Sequence, residues 1–486
     1  MPPPSTQRPL HTAPLDARLA WARRFREAVA SHESDLTARI TEDVHKTRWE
    51  AVTADLLPLL ASLKWHERHA RRVLAPKKSR EGGMMALGQR HHVHHAPRGH
   101  IAIIATWNYP VGLLGVQLAQ ALIAGNRVTV KPSEHAPRSQ TLLLELAAAA
   151  GLTADDLTVT DATREAGRTL LQDHAFDHVV FTGSTPVGRA IAEVLAPTLT
   201  TSTLELSGRD SALVLADANP RLAARSIWFG VQTNGGQTCV SPKRALVHES
   251  IYPAFLRELG LDAAGSRPRR LITEDAAQHA SDQLHAAIDA GGRPLSGVFE
   301  PATGATIRPQ AIADCPEDAE LVEGRNFAPT LAVVPCRDED HMLAIHHRCD
   351  QHLATTVFTG CPGRAKQRLV GRLRTGSVNF NDCVIPIGHP ASSIGGVGQS
   401  GWGRSQGADG LLDMTIPITV TTTNPIVRTP IDTPHAKRVD QLTTFLMRHF
   451  GARRSASAYQ TTTEQANGPS PRTTTHPTPA TTTGAP

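Results

Sequence analysis

Cys239 ends the stretch Asn234-Gly-Gly-Gln-Thr-Cys, which runs on through Val and Ser to Pro242, and it sets a thiol among small and amide-bearing residues. Two glycines let the backbone turn and approach a ligand where a β-carbon would obstruct it. The chemistry on offer is nucleophilic attack by sulfur. The plain alternative is a buried apolar cysteine, the commoner fate of the residue type. A free thiol titrates near ~8.5, so a nucleophile here needs a nearby base or a helix-end dipole to favour the thiolate.

Two further stretches could hold a nucleotide. FTGSTPVGR (181–189) sets Gly183, Ser184 and Gly188 where a strand runs into a helix, and backbone amides at a helix start bind phosphate. Without a Walker lysine or Rossmann spacing this GxxxxG carries little alone. Lys131 and Glu134, in KPSE directly after a strand, suit the vicinal hydroxyls of a sugar, or equally an ordinary loop salt bridge. His91, His92, His94 and His95 could bind a metal, but in a strand they alternate faces, so at most two same-side rings converge. The reading is a solvated edge strand with no metal site.

The elements that must position these groups follow from periodicity. Apolar residues recur at helical spacing from Leu15 to Leu74, as in Leu19, Phe25, Val29 and Leu36, so amphipathic helices should cover a larger body. From His100 strand and helix alternate: HIAIIAT, a helix over 111–124 closed by Gly125, RVTVKP, a helix over 138–150, DLTVT, a short helix, HVVFTG and a helix from Thr185. Such alternation implies right-handed parallel βαβ units with ligands at the carboxyl ends of the strands. TSTLELSG and SALVLAD add two strands before a helix over 220–231 leads into the Cys239 loop. A second α/β segment runs from Arg244 to about Leu373. SSIGGVGQSGWGRSQG is glycine-dense and irregular. TIPITVTTT reads as a last strand able to add to an edge, its own or a partner's. A helix over 436–450 clusters Leu442, Phe445, Leu446 and Phe450 on one face, which should pack on its own protein.

With 486 residues, two or more domains are expected. Net charge is +5, yet Lys and Arg are scattered among nearly as many acids, which argues against a nucleic-acid partner. Six cysteines lack any Cys-x-x-Cys pair, so a zinc knuckle or disulfide framework is not expected and a reducing, cytoplasmic setting is. The Pro-rich start has no secretory signal pattern, and the longest apolar run, near 110–125, is too short to span a bilayer.

The joint order of eight stretches resembles the aldehyde dehydrogenase superfamily from about residue 15 to 430. They are TWNYP (106–110), GNRVTVKPSE (125–134), FTGSTPVGR (181–189), LELSGRD (204–210), NGGQTC (234–239), NFAP (326–329), GSVNFND (376–382) and GGVGQSG (395–401). The short connection before the strand at His100, and Tyr109 after Asn108, look closest to the class 3 branch, whose members are typically dimers acting on medium-chain, fatty or aromatic aldehydes. The resemblance implies an α/β fold with a Rossmann-type cofactor domain, an α/β catalytic domain and a small bridging strand for oligomerisation. On that pattern residues 15–205, with a return segment at 386–413, bind the cofactor, and 206–385 form the catalytic domain. Residues 414–425 form the bridging strand and 426–452 a C-terminal amphipathic helix; 1–14 and 453–486 are disordered.

The same resemblance implies Cys239 as nucleophile, Asn108 as side-chain oxyanion donor and Glu205 as general base. Trp107, Lys131, Glu134, Gly183, Ser184 and Gly188 would line a cleft for NAD or NADP. The implied reaction oxidises an aldehyde to a carboxylic acid through a thiohemiacetal and a thioester, in a homodimer and without transfer to coenzyme A. Several positions depart from the family pattern. Arg325 stands where a glutamate usually holds the nicotinamide ribose, and arginine cannot accept a hydrogen bond, so that contact is lost, replaced, or supplied by Glu323 along a different loop path. Ser207 and Arg209 replace the usual Gly and Lys, Ala328 a glycine, and Asp161 one of a glycine pair. These departures keep open a cofactor-impaired relative acting as a binding or scaffold protein. A coenzyme-A-linked reductase, which would share the cysteine loop without needing Glu205, also stays open.

Overall fold

The structure, a computed structural model, describes residues 8–79, 88–173, 175–426 and 437–451. The chain divides into two units, Met1–Lys78 with His92–Val420, and Ser79–His91 with Thr421–Pro486. The first unit holds two large sheets. One has six strands in the order Gly401–Trp402, Thr201–Glu205, His178–Thr182, His100–Ile104, Arg127–Lys131 and Leu157–Val159. All neighbours are parallel except the first pair. The chain builds outward from His100–Ile104 in one direction, then returns to its other side. This reversal leaves a crevice at the carboxyl ends of His100–Ile104 and His178–Thr182.

The second sheet has seven strands: Arg293–Pro294, Gln310–Ala313, Thr330–Cys336, Pro242–His248, Asp210–Val214, Ala354–Phe358 and Ser377–Phe380. Both faces are covered by apolar clusters, which is why its strands read as continuous apolar runs. Residues 206–209 carry the chain from the carboxyl end of Thr201–Glu205 to the amino end of Asp210–Val214. One sheet therefore ends where the other begins, and the Cys239 loop enters the second sheet at that same amino edge, just before Pro242–His248.

The predicted amphipathic helices are Leu15–Ser31, Glu33–Val44 and Leu57–Leu74, packed with helix Gly112–Ala124 on one face of the first sheet. Gly112–Ala124 is buried almost throughout, and its two polar side chains are satisfied internally: Gln117 donates to Thr182 Oγ1 at 2.9 Å, and Gln120 donates to the Gly407 carbonyl at 3.3 Å.

Three expectations are corrected. Residues 8–14 are ordered: Leu10 is buried in the core, and His11 donates its backbone N–H to Asp156 at 2.9 Å, gains that hold even a short Pro-rich segment. Residues 1–7 and the tail 453–486 lie outside the described residues. The histidine strand, Gln89–Pro97, lies between Lys77–Ser79 and Thr415–Thr423, so it is the middle of a three-stranded sheet and not an edge. His91 and His95 bond Thr421 and Thr415 from that central position. The edge is Thr415–Thr423, whose Ile416, Ile418 and Val420 are exposed. In the second unit, helix Lys437–Gly451 leaves Leu442 and Phe445 open to solvent instead of packed, and Phe450 lies outside the residues whose side chains are described. No helix among the described residues is long and apolar enough to cross a membrane.

Candidate active site

Three backbone residues in a row take left-handed conformations just before the cysteine: Asn234 (φ 53°), Gly235 (φ 61°) and Gly236 (φ 72°). At Gly236 a β-carbon would strike the backbone of Ala328 and Pro329, so the glycine is needed for close approach as well as for its φ. The loop is then tied from several sides. Asn234 Nδ2 donates to the carbonyls of Asn108 (2.9 Å) and Gln237 (3.0 Å), and Lys243 Nζ donates to the carbonyls of Gly236 and Ala328, each at 2.7 Å. Tyr109 Oη and Thr238 Oγ1 share a hydrogen at 2.6 Å. Behind the tyrosine ring lies Lys46, 3.8 Å from its centroid and paired with Asp55. Asp55 also accepts from the backbone N–H of Gly112 at 2.9 Å, which fixes the start of the buried helix.

Cys239 lies where two cavities meet, since it and Glu205 line both. The larger, about 600 Å³, is walled by Leu57, Leu113, Val116, Phe229, Val384 and other apolar side chains. The smaller, about 220 Å³, is lined also by Trp107, Asn108, Gly183, Ser184 and Ser207. It shares Thr106, Trp107, Thr182, Gly183 and Ser184 with a cleft of about 750 Å³ that extends past Lys131 and Glu134. The three spaces thus form one path, with sulfur and carboxylate at its narrow middle.

Burial pushes the Cys239 thiol up to about 12, reinforced by the charges of Glu205 and Asp210; the N–H groups of Cys239 and Val240 pull the other way. The resting sulfur is therefore protonated, and deprotonation requires a base. Burial likewise raises Glu205 to about 7, with Ser405 only partly offsetting it, so this carboxyl changes charge near neutrality. Its Oε1 is buried without a hydrogen-bond partner. Asn108 is held by Thr106 Oγ1, which donates to its Oδ1 at 2.9 Å, and donates one Nδ2 hydrogen to the Gln237 carbonyl at 3.1 Å. A carboxamide has two such hydrogens, so one remains for a ligand.

Comparisons with known proteins give the family. Residues 5–420 match the aldehyde dehydrogenase family. The chain belongs to the aldehyde dehydrogenase family. Among its relatives, the 4,4'-diapolycopene aldehyde oxidase of Methylomonas sp is 29% identical over 83% of this chain and 77% of that one. The dimeric NADP-preferring aldehyde dehydrogenase of Canis lupus familiaris is 28% identical over 82% and 87%. The succinate-semialdehyde dehydrogenase of Burkholderia pseudomallei superposes with a TM-score of 0.79 at 25% identity, covering 85% of this chain and 87% of that one. As an aldehyde dehydrogenase, the protein oxidises aldehydes with NAD or NADP.

The cleft fits such a dinucleotide. It lies at the strand-order reversal, Gly183 leaves room against the Phe181 ring that a β-carbon would remove, and the amino end of helix Thr185–Leu195 opens beside it. Lys131 pairs with Glu134 at 3.0 Å and Arg164 pairs with it at 2.9 Å. Gly188 is placed differently from the sequence expectation. It packs against Leu206 and lines none of these spaces, because the first turn of the helix already faces inward. Glu323 does not reach the site either; it is exposed and pairs with Arg348 at 3.8 Å. Arg325 is also exposed and donates to Gln399 Oε1 at 2.9 Å. Sequence reasoning missed Lys46, Asp55, Lys243 and the tunnel wall from Trp49 to Ala61. No local signal marked them, since Lys46 lies between two helices and Lys243 in the strand Pro242–His248.

Arg209, in place of the usual lysine, is fully buried and donates to the carbonyls of Glu320, Leu321 and Val322 at the end of helix Glu320–Glu323. Its five-donor fork serves carbonyls that one ammonium could not all reach. The substitution is thus accommodated against that helix, with Nη1 left buried without a partner, and the Ser207 carbonyl accepts from Ser400 Oγ at 2.8 Å.

Proposed function

We propose that the protein converts a bulky apolar aldehyde to the free acid through a covalent thioester on Cys239. The observation that carries this reading is that Cys239 and Glu205 face both the apolar cavity and the space leading to the dinucleotide cleft. Glu205 takes the Cys239 proton, and the sulfur attacks the aldehyde carbon. The oxygen, now an anion, is met by the free Asn108 Nδ2 hydrogen and the Cys239 backbone N–H; losing one such donor typically costs about 3 to 4 kcal/mol in kcat. NAD or NADP, when bound, supplies the hydride acceptor. Once Glu205 has released the cysteine proton to solvent, it removes a proton from water; the hydroxide adds to the thioester carbon, the carbon–sulfur bond breaks, and the departing sulfur takes the proton back from Glu205 as the acid leaves. A carboxylate at this position favours hydrolysis over transfer to coenzyme A.

The adenosine end suggests that NADP is accepted alongside NAD. Burial would raise the Glu134 carboxyl, but hydrogen bonds from its own backbone, Arg164 and Lys131 hold it down to about 2, so its charge is already neutralised. Two cations, Lys131 and Arg164, meet this one carboxylate, which leaves a positive surplus for a ribose phosphate; Arg168 on the same wall is paired with Glu165 at 3.8 Å. The canine relative's NADP preference is in line with this. Arg164→Ala should raise the KM for NADP about ten-fold more than that for NAD. We further propose a cytoplasmic homodimer, joined through the exposed edge Thr415–Thr423, with six unpaired thiols suited to a reducing compartment. Light scattering of wild type and Ile418→Lys tests the dimer: a monomeric wild type rejects it.

The decisive assay follows NADH or NADPH with hexanal, decanal and benzaldehyde. Turnover favouring decanal is expected, and no turnover with any of the three rejects the reading.

A further inference from the structure

Beyond the apolar tunnel lies a second groove of about 490 Å³, lined by Arg221, Arg225, Ser226 and Asp382, with Phe229 and Ile385 forming walls of both spaces. The tunnel itself carries no Lys, Arg or His among its lining residues. A substrate tail that leaves the tunnel between Phe229 and Ile385 therefore meets its first cations in this groove.

Both arginines sit on helix Pro220–Gln232, four residues apart, so their side chains share one face. Like charges at that spacing repel, and no ion pair or hydrogen bond offsets the repulsion among the described residues. Asp382 is the groove's lone carboxylate, so the surplus charge is positive. The helix also sets the scale. Counting from Thr233 beside the cysteine, Phe229 lies about 6 Å, Arg225 about 12 Å and Arg221 about 18 Å along the axis, at 1.5 Å per residue.

We propose that this groove binds the far end of a bifunctional substrate, an aldehyde whose apolar chain terminates in a carboxylate. The inference rests on the aldehyde oxidation assigned above and narrows its substrate class. Phe229 and Ile385 guide the methylene chain out of the tunnel. Arg225, and for longer chains Arg221, then takes the carboxylate through paired N–H donors, a geometry that arginine offers and lysine does not. Ser226, one residue on, supplies a neutral donor beside Arg225.

The test compares nonanal with azelaic semialdehyde, the same chain bearing a terminal carboxylate, in wild type and in Arg221→Ala/Arg225→Ala. Wild type should prefer the semialdehyde. In the double variant that preference should fall about ten-fold, chiefly through KM, the size expected for losing a solvent-accessible charge-assisted hydrogen bond. Added salt should erode the wild-type preference, because the pair is exposed. Calorimetry with azelate, against nonanoate, reads the groove without turnover: azelate should bind wild type more tightly than the double variant, and nonanoate should not distinguish them.

An unchanged preference, or equal azelate binding, overturns the proposal. So does loss of binding to anionic phosphatidylserine vesicles in the double variant with no change in preference, since the arginines would then face lipid. If no aldehyde is oxidised but azelate binding depends on the arginines, the oxidation reading fails and the groove assignment stands.

Discussion

Glu205 and Asp210 stand at the two ends of one crossover. The first closes a strand of the six-stranded sheet, and the second opens a strand of the seven-stranded sheet. Both are buried, and burial draws both carboxyls upward, Glu205 to about 7 and Asp210 to about 8. Their surroundings differ. Asp210 Oδ1 accepts from the backbone N–H groups of Leu353 (3.2 Å) and Ala354 (2.8 Å), and the residue lines none of the three connected spaces. Each keeps one oxygen without a partner, Glu205 Oε1 and Asp210 Oδ2, but only Glu205 opens onto two of these spaces. A raised titration point alone would mark both as catalytic. Access to a cavity separates the carboxylate that can exchange a proton with substrate from the one that fastens the start of a neighbouring strand in its own sheet.

The largest effect should come from removing the group both carboxylates surround. Cys239→Ala should lower kcat by at least about a thousand-fold, read as NADH formation, because no other thiol lines the site. Any substantial residual rate would move the centre to another residue. Glu205→Gln comes next: steady-state turnover should fall by about a hundred- to ten-thousand-fold while the thioester accumulates, visible by mass spectrometry of the quenched enzyme. A coenzyme-A-linked reductase would be nearly indifferent to that change.

Asp210 should respond in the opposite currency of stability. Asp210→Ala strands two buried N–H groups and should destabilise by about 2 kcal/mol in denaturant titration, whereas Asp210→Asn keeps an acceptor oxygen and should stay close to wild type. If Asp210→Asn instead abolished turnover as Glu205→Gln does, the contrast between the two carboxylates would collapse.

The pH dependence sharpens the same contrast. Glu205 must be ionised to act as a base, so the deacylation rate should rise with pH and level off above about 7, and the glutamine variant should lose that limb. Stability runs the other way. The folded-state titration point lies above the unfolded one near 4.5, so the folded protein binds the proton more tightly, and stability falls as pH rises from about 4.5 through about 7. Above that window Glu205→Gln should therefore melt higher than wild type, measured by calorimetry.

Much of this was legible in the chain because local chemistry and global fold agree. Buried parallel strands such as His178–Thr182 announce themselves as unbroken apolar runs, and Gly125 marks a helix end by its left-handed backbone. Asn108, Glu205 and Cys239 were found through motif order, since sequence spacing alone does not bring residues 97 and 34 positions apart to one cavity. What stayed hidden depends on tertiary context. Nothing local distinguishes Lys46 and Asp55 from a surface pair, yet both are fully buried against Tyr109. The ordering of residues 8–14 likewise rests on a distant partner, Asp156. Gly188 illustrates the reverse error: a motif glycine assigned to phosphate turned out to relieve a contact with Leu206.

The smallest expected effect concerns Arg325, the most conspicuous departure from the family pattern. Its guanidinium is exposed, bonds Gln399 and lines none of the connected spaces, while Trp107 and Phe327, edge to face at 5.8 Å, both line the small cavity that Cys239 also lines. An exposed polar pair of this kind is worth about 0 to 1 kcal/mol. Arg325→Ala should therefore change kcat/KM by less than about five-fold, in contrast to Glu205→Gln. Arg325→Glu should do no more than restore a modest gain in dinucleotide affinity, read by fluorescence titration. A hundred-fold gain on placing glutamate there would show that the arginine had been holding the cofactor out, and would favour a binding or scaffold role for the natural chain.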